Sequence, residues 1–185
     1  VNATKKKTHA VLALDPGGTT GVAAGYVDLR LTRRETLATL HNRKAVEVSG
    51  PWLEQAAQLD TIFRNFVFNA NVEHSVPLPN IHVAIEDFIL RRRQEGGATG
   101  NLTSCWVAAA AVAMWHKVIV TGKDGRQFTQ IANDQTDAIR WQQPSHAKTL
   151  MTDARLKSYG LWEVGSTHMR DAWRHFGLRV DGLII

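Results

Sequence analysis

Apolar residues recur along this chain with two different periods, and the changes of period mark its elements. Val11 to Leu14, Val22 to Leu29 and Glu35 to Leu40 read as three successive strands. The Gly-rich and Arg-rich turns between them suit an antiparallel meander. After Pro51 the spacing switches to three and four residues. Trp52, Leu53, Ala56, Leu59, Ile62, Phe63, Phe66 and Val67 then share one face of a helix that Pro51 opens. The loop 69–80 carries Pro77 and Pro79, and Ile81 to Ile85 follows as a short apolar strand that runs out into Glu86 and Asp87.

Beyond a polar stretch, 91–100, the pattern predicts a helix whose Leu102, Cys105, Trp106, Ala109, Ala110, Ala113 and Met114 face the core, with small residues permitting close packing. Val118 to Val120 and Gln127 to Ile131 flank Lys123-Asp-Gly125 as a hairpin, and Ala138 to Trp141 is a further strand before Pro144. Ser145 is expected to cap a helix from His146 to Tyr159 that Gly160 ends. A last helix opens at Thr167 and runs to Gly177. This order predicts an α/β protein built on one central sheet.

At 185 residues and 44% hydrophobic content, the chain is expected to fold as a single domain over 1–185 with a substantial core; residues 1–8, with Lys5, Lys6 and Lys7, form a loose basic tail. The apolar run after that tail is too short for a signal peptide or a membrane span. The lone Cys105 gives no disulfide framework and no cysteine metal site, which fits a reducing, cytoplasmic setting. The net charge of +5 and pI of about 9.7 lean toward a polyanionic partner, although a mildly basic surface also keeps an ordinary protein in solution.

Candidate chemistry concentrates where strands end. Asp15 closes the first strand and enters the turn Pro16-Gly-Gly-Thr-Thr-Gly21, where an acid can meet a metal ion or a polar substrate rather than be buried unpaired. Glu86 closes the fourth strand in the same manner. His168 and Asp171 are three apart in the first turn of the last helix, hence on one face. Hard oxygen ligands with one imidazole suit Mg²⁺ or Mn²⁺, and two such ions about 4 Å apart cleave phosphodiesters by in-line attack. Arg91, Arg92 and Arg93 beside this site are candidate phosphate contacts, with a solvated turn as the plain alternative. The turn by itself serves nucleotide-binding kinases, metal-dependent nucleases and simple hairpins alike.

The chain resembles the RuvC-type Holliday junction resolvases, of the divergent kind found in bacteriophages. The resemblance rests on Leu14-Asp-Pro-Gly-Gly-Thr-Thr-Gly21, Ala84-Ile-Glu86, the Ala-rich helix near Val107 to Trp115, Pro144 with Lys148, and His168-Met-Arg-Asp-Ala172, and spans about residues 10–178. It implies an RNase H-like fold: a central mixed five-stranded sheet, three antiparallel strands then parallel ones, flanked by helices. It also implies a nuclease that cleaves four-way and related branched DNA with two Mg²⁺ ions, Mn²⁺ substituting, held by Asp15, Glu86, His168 and Asp171. His168 acts there as ligand or as general base. Phe88 becomes the candidate wedge for the junction's base stack, and Lys148 and Lys157 the candidate contacts to the scissile phosphate. The family acts as homodimers in the cytoplasm, of the host if phage-encoded, and the Ala-rich helix with Trp106 and Trp115 is a candidate interface.

Two other classes remain open on these residues. The Asp15 turn also resembles the phosphate-binding turn of actin-like ATPases and sugar kinases, although those need a second domain and a second Gly-rich turn. A branched-DNA-binding module without catalysis is the other.

Overall fold

The computed structural model describes residues 8–87, 102–116, 119–121, 127–129 and 138–184. Phe88, Arg91, Arg92, Arg93 and the proposed basic tail up to residue 7 lie outside the described residues. Five strands form one sheet in the order β3-β2-β1-β4-β7: β1 is Thr8–Asp15, β2 Thr19–Asp28, β3 His41–Ser49, β4 Ile81–Glu86 and β7 Ile139–Gln142. β1, β2 and β3 are antiparallel neighbours, whereas β4 runs parallel to β1 and β7 parallel to β4. The expected sheet, three antiparallel strands followed by parallel ones, is the observed one. β5 (Ile119–Thr121) and β6 (Gln127–Thr129) pair separately as the antiparallel hairpin predicted around Lys123-Asp-Gly125.

Alternation along β1 divides the core into two layers. Ala10, Leu12 and Leu14 point to α2 (Trp52–Phe68) and α3 (Leu102–His116), with Leu59, Phe63 and Val107. Val11 and Ala13 point the other way, toward Trp173, Phe176 and Val180 of α6 (Thr167–Ile184). Asp15 has the parity of Val11 and Ala13, so its carboxylate emerges on the α6 side. Glu86 shares the parity of Ala84, which packs in that same layer. The two acids therefore leave adjacent parallel strands on one face.

Four local expectations are corrected. Glu35 to Leu40 is not a strand: 33–38 is the helix α1 (Arg33–Ala38), started by a capping box in which Thr32 and Glu35 satisfy each other's backbone N–H groups. The third strand instead begins at His41, at the sheet edge, where His41-Asn-Arg-Lys44 stays exposed and shows no apolar alternation. Removing the cap with Thr32→Ala is expected to cost about 1 kcal/mol in a denaturant melt.

On α3 the buried side chains are Ser104, Val107, Ala108, Ala111 and Trp115, while Trp106, Ala109 and Ala113 are exposed, the reverse of much of the predicted face. A helix apolar on every side carries no periodic signal to orient it. The segment 146–159 is two helices, α4 (Pro144–Leu150) and α5 (Asp153–Ser158), and Gln143 rather than Ser145 precedes the first. Thr152 caps the second, accepting from Arg155 N–H, and the break lets Met151 plug fully into the core against Gly177. Gly160 does end the segment, at φ +67°. The last helix continues past Gly177 to Ile184: a Cβ at 177 would lie 2.6 Å from Met151 Cγ, so this glycine serves close packing, not termination.

Candidate functional site

The turn after β1 is held from below by α2. The Gln55 side chain, fully buried, accepts from Thr20 Oγ1 (2.6 Å) and donates to the carbonyls of Gly18 (2.9 Å) and Gly50 (2.9 Å). This clamps the backbone that follows Asp15. From the other side the start of α6 lies directly on Gly21: a Cβ there would fall 2.0 Å from the His168 carbonyl oxygen and 2.9 Å from Met169 N. Ser166 caps this helix, accepting from Met169 N–H (3.0 Å), and its hydroxyl donates to Glu47 of β3. The sheet, the turn and the α6 N-terminus are thus packed into one rigid corner.

Five predicted side chains meet at that corner. His168 Nδ1 lies 2.9 Å from Asp15 Oδ2. Asp171, one turn on, is buried and accepts from Arg174, while the Lys148 ammonium of α4 stands 3.4 Å from its other oxygen. Glu86 Oε2 is 2.9 Å from His175 Nε2. Lys157 is not part of this group; its ammonium rests over the Trp162 ring, 4.5 Å from the centroid. Of the two tryptophans suggested for a subunit interface, Trp106 is 53% exposed and stacks on Trp52, whereas Trp115 is buried in the chain's own core.

Three further residues support the site, and none was singled out from the sequence. His175, Arg174 and Gln142 sit behind the acids. The Gln142 amide nitrogen faces His175 Nδ1 (3.0 Å) and its oxygen accepts from the Arg179 N–H (3.1 Å). That arrangement leaves the imidazole proton on Nε2, donating to Glu86. Arg174 bridges Asp171 to Asp153 of α5. The only signal for His175 and Arg174 was their spacing of four and three from Asp171, which places them on the same helical face.

The charges are unevenly shared. Burial, then the hydrogen bond and charge of Glu86, then the charge of Asp171 push the Asp15 carboxyl up to about 9, and Lys148 opposes this only in part. Glu86 moves the other way. Burial would raise it, but the hydrogen bonds from His175 and Asp15 and the Lys148 charge together hold it below its ordinary value. One proton is therefore kept on the Asp15 side of the pair. Replacing His175 with Ala leaves Glu86 without its orienting donor. We expect a loss of about 10- to 100-fold in any activity that uses Glu86, measured as an initial rate, with His175→Gln retaining more.

The donor set is mainly hard oxygen, and the burial and mutual repulsion that load a proton onto Asp15 are what a divalent cation offsets. As the side chains stand, however, no group of three or more His, Cys, Asp or Glu residues is arranged to hold a metal ion among the described residues. Asp171 is turned onto Arg174 and Lys148, and Glu86 onto His175.

Sheet order, strand-end acids and the covering helix define an RNase H-like fold. Within that class, the fold is that of RuvC. It matches Thermus thermophilus RuvC in complex with a Holliday junction substrate at a TM-score of 0.52 and 15% identity, over 95% of this chain and 93% of that one. A second Thermus thermophilus RuvC structure matches at 0.52 and 14%, with the same coverage. No protein-family model and no curated protein matches the chain. Among the described residues, no helix is long and apolar enough to cross a membrane.

Proposed function

We propose that this chain is a divalent-metal-dependent endodeoxyribonuclease that nicks four-way and related branched DNA junctions, working as a homodimer. The observation that carries the reading is the convergence of Asp15, Glu86, His168 and Asp171 at one corner of a RuvC fold. The RuvC structure in complex with a Holliday junction substrate supports branched DNA as the partner. Two Mg²⁺ ions, for which Mn²⁺ substitutes, would be held by Asp15 with His168 or Asp171 and by Asp15 with Glu86, supplying Lewis acidity to an in-line phosphodiester hydrolysis.

The chain's own groups do the positioning. His175 aims Glu86, and Arg174 restrains Asp171. Lys148, more than half exposed, reaches from α4 toward the strand carrying the scissile phosphate. His168, half-exposed beside Asp15, is a ligand or the group that takes the proton from the attacking water. Phe88 is the proposed wedge into the junction's base stack, and Arg91, Arg92 and Arg93 the proposed sequence-independent contacts to phosphates.

The test is a gel assay of the full chain on a synthetic four-way junction beside a linear duplex of the same sequence, with and without Mg²⁺. Paired nicks near the branch point, leaving 5′ phosphates and requiring Mg²⁺, are expected. Equal cutting of the duplex, or cutting in EDTA, overturns the reading. The engagement of Asp171 by Arg174 and Lys148 favours one second reading, a branched-DNA-binding module without catalysis. A junction bound but left intact in both Mg²⁺ and Mn²⁺ would establish it.

A further inference from the structure

A cavity of about 380 Å³ lies between the β2–β3 side of the sheet and the second half of α2. It is remote from the carboxylate corner: Tyr26, which lines it, pairs with Ala10 near the start of β1, whereas Asp15 at the other end pairs with Gly21. The floor is apolar, with Leu12 and Val22 from the sheet and Ile62 and Phe66 from α2. Leu12, Val22 and Tyr26 all belong to the core layer on the α2 side. Lys44, which also lines the cavity, has the parity of Val46 and Val48 on β3, and these pack in the same layer. Three rings border the cavity, Tyr26 standing 6.2 Å from Phe66 and 4.4 Å from His74.

The wall facing the sheet is shaped by a change of helical pitch. At Asn69 the helix α2 passes into a π-helical turn, Asn69–Glu73, and the His74 N–H donates to the Asn69 carbonyl (3.0 Å). Such turns recur at functional sites. Glu73 and His74 line the cavity from this turn, and Asn42 of β3, at φ +48°, donates across to His74 Nε2 (3.0 Å). Glu73 stands close enough to Tyr26 that burial and then the Glu73 charge push the phenol up, which keeps its hydroxyl protonated.

Among the described residues, one ammonium and one carboxylate line the cavity: Lys44 from the sheet and Glu73 from the π-helical turn. Both are exposed, and neither side chain is hydrogen-bonded or ion-paired, to the other or to any other described residue. An isolated surface charge is ordinarily just solvated. Here two of opposite sign border one apolar, ring-lined floor.

We propose that this cavity binds a free α-amino acid with an aromatic side chain, its carboxylate on Lys44, its ammonium on Glu73 and its ring among Phe66, Tyr26 and His74. A ligand of single charge would answer only one of the two groups at the rim, and an uncharged apolar ligand neither. The volume lies within the range of about 300–1,000 Å³ found for small-molecule sites. The inference needs neither metal nor DNA, so it stands apart from the nuclease reading.

The experiment titrates the full chain in EDTA by calorimetry with L-phenylalanine, with its methyl ester, which lacks the carboxylate, and with 3-phenylpropionate, which lacks the ammonium. Wild type, Lys44→Met and Glu73→Gln are compared, and thermal melts confirm that each variant folds. On wild type, each truncated compound binds about fivefold more weakly than L-phenylalanine. Lys44→Met weakens L-phenylalanine by a similar factor and leaves the ester unchanged. Glu73→Gln weakens L-phenylalanine and leaves 3-phenylpropionate unchanged. No saturable binding of L-phenylalanine to wild type, equal affinity for the three compounds, or losses in the two variants that do not follow the missing group overturn the proposal.

Discussion

Asp15→Asn is expected to abolish junction nicking, by about 10³-fold or more, while leaving junction binding near the wild-type level. Asp15 is the one acid that both proposed ions share, and it sits between Glu86 and His168. The same substitution should change how metal-free stability depends on pH. The Asp15 carboxyl is pushed from an ordinary 3.8 to about 9, so between those values the folded chain holds a proton that the unfolded chain has released. Stability from this group is full at acid pH, declines as pH rises above about 4, and levels off above about 9. Melts of the metal-free wild type should therefore fall across that window. Asp15→Asn, which cannot titrate, should remove the decline. Mg²⁺ at pH 8 should raise the wild-type melting temperature by displacing the proton, and should do little for Asp15→Asn. A wild-type melting profile indistinguishable from that of Asp15→Asn would show that the acids do not crowd as described.

The second large effect is structural. Gly21→Ala is expected to destabilise the chain by about 4 kcal/mol, read from denaturant melts, because its Cβ would sit 2.0 Å from the His168 carbonyl oxygen and 2.3 Å from the carbonyl carbon. Backbone on both sides must move apart, and α6 carries Ala172, Trp173, Phe176 and Val180 into the core. Gly18→Ala is the control three residues away. A Cβ there meets nothing within 4 Å, and Gly18 is not among the glycines with positive φ, so the change should stay within about 0.5 kcal/mol. Equal costs at the two positions would mean that the α6 N-terminus does not rest on the turn.

How far the sequence could be read follows from which signals are local. Strands β1 and β4 were legible because both are buried runs that end in an acid, and their placement on the sheet follows the RuvC order. Asp15, Glu86, His168 and Asp171 could be picked out as candidates because the first two close strands and the other two stand near the start of α6. Edge strand β3 was displaced by several residues: an edge of exposed polar residues has no alternation to read, and the short helix before it is announced only by the Thr32 and Glu35 pair. The face of α3 was misread because its apolar residues encircle it.

The supporting residues were hidden for a different reason. Gln55, Gln142 and His175 act through hydrogen bonds between elements distant in sequence, such as the 89 residues that separate Glu86 from His175. Nothing in local spacing reports such a partner. Gly21 was noted as a turn residue allowing close approach, yet the backbone that approaches, at His168, is visible only once α6 is docked.

The carboxylate corner is expected to hold divalent cations. Calorimetric titration of Mn²⁺ into the full chain at pH 8, wild type against Asp15→Asn, measures this without depending on a DNA substrate. Saturable binding of about two ions per chain, with proton release, is expected for the wild type, and its loss in Asp15→Asn. Binding that is absent from the wild type, or present unchanged in Asp15→Asn, would contradict it.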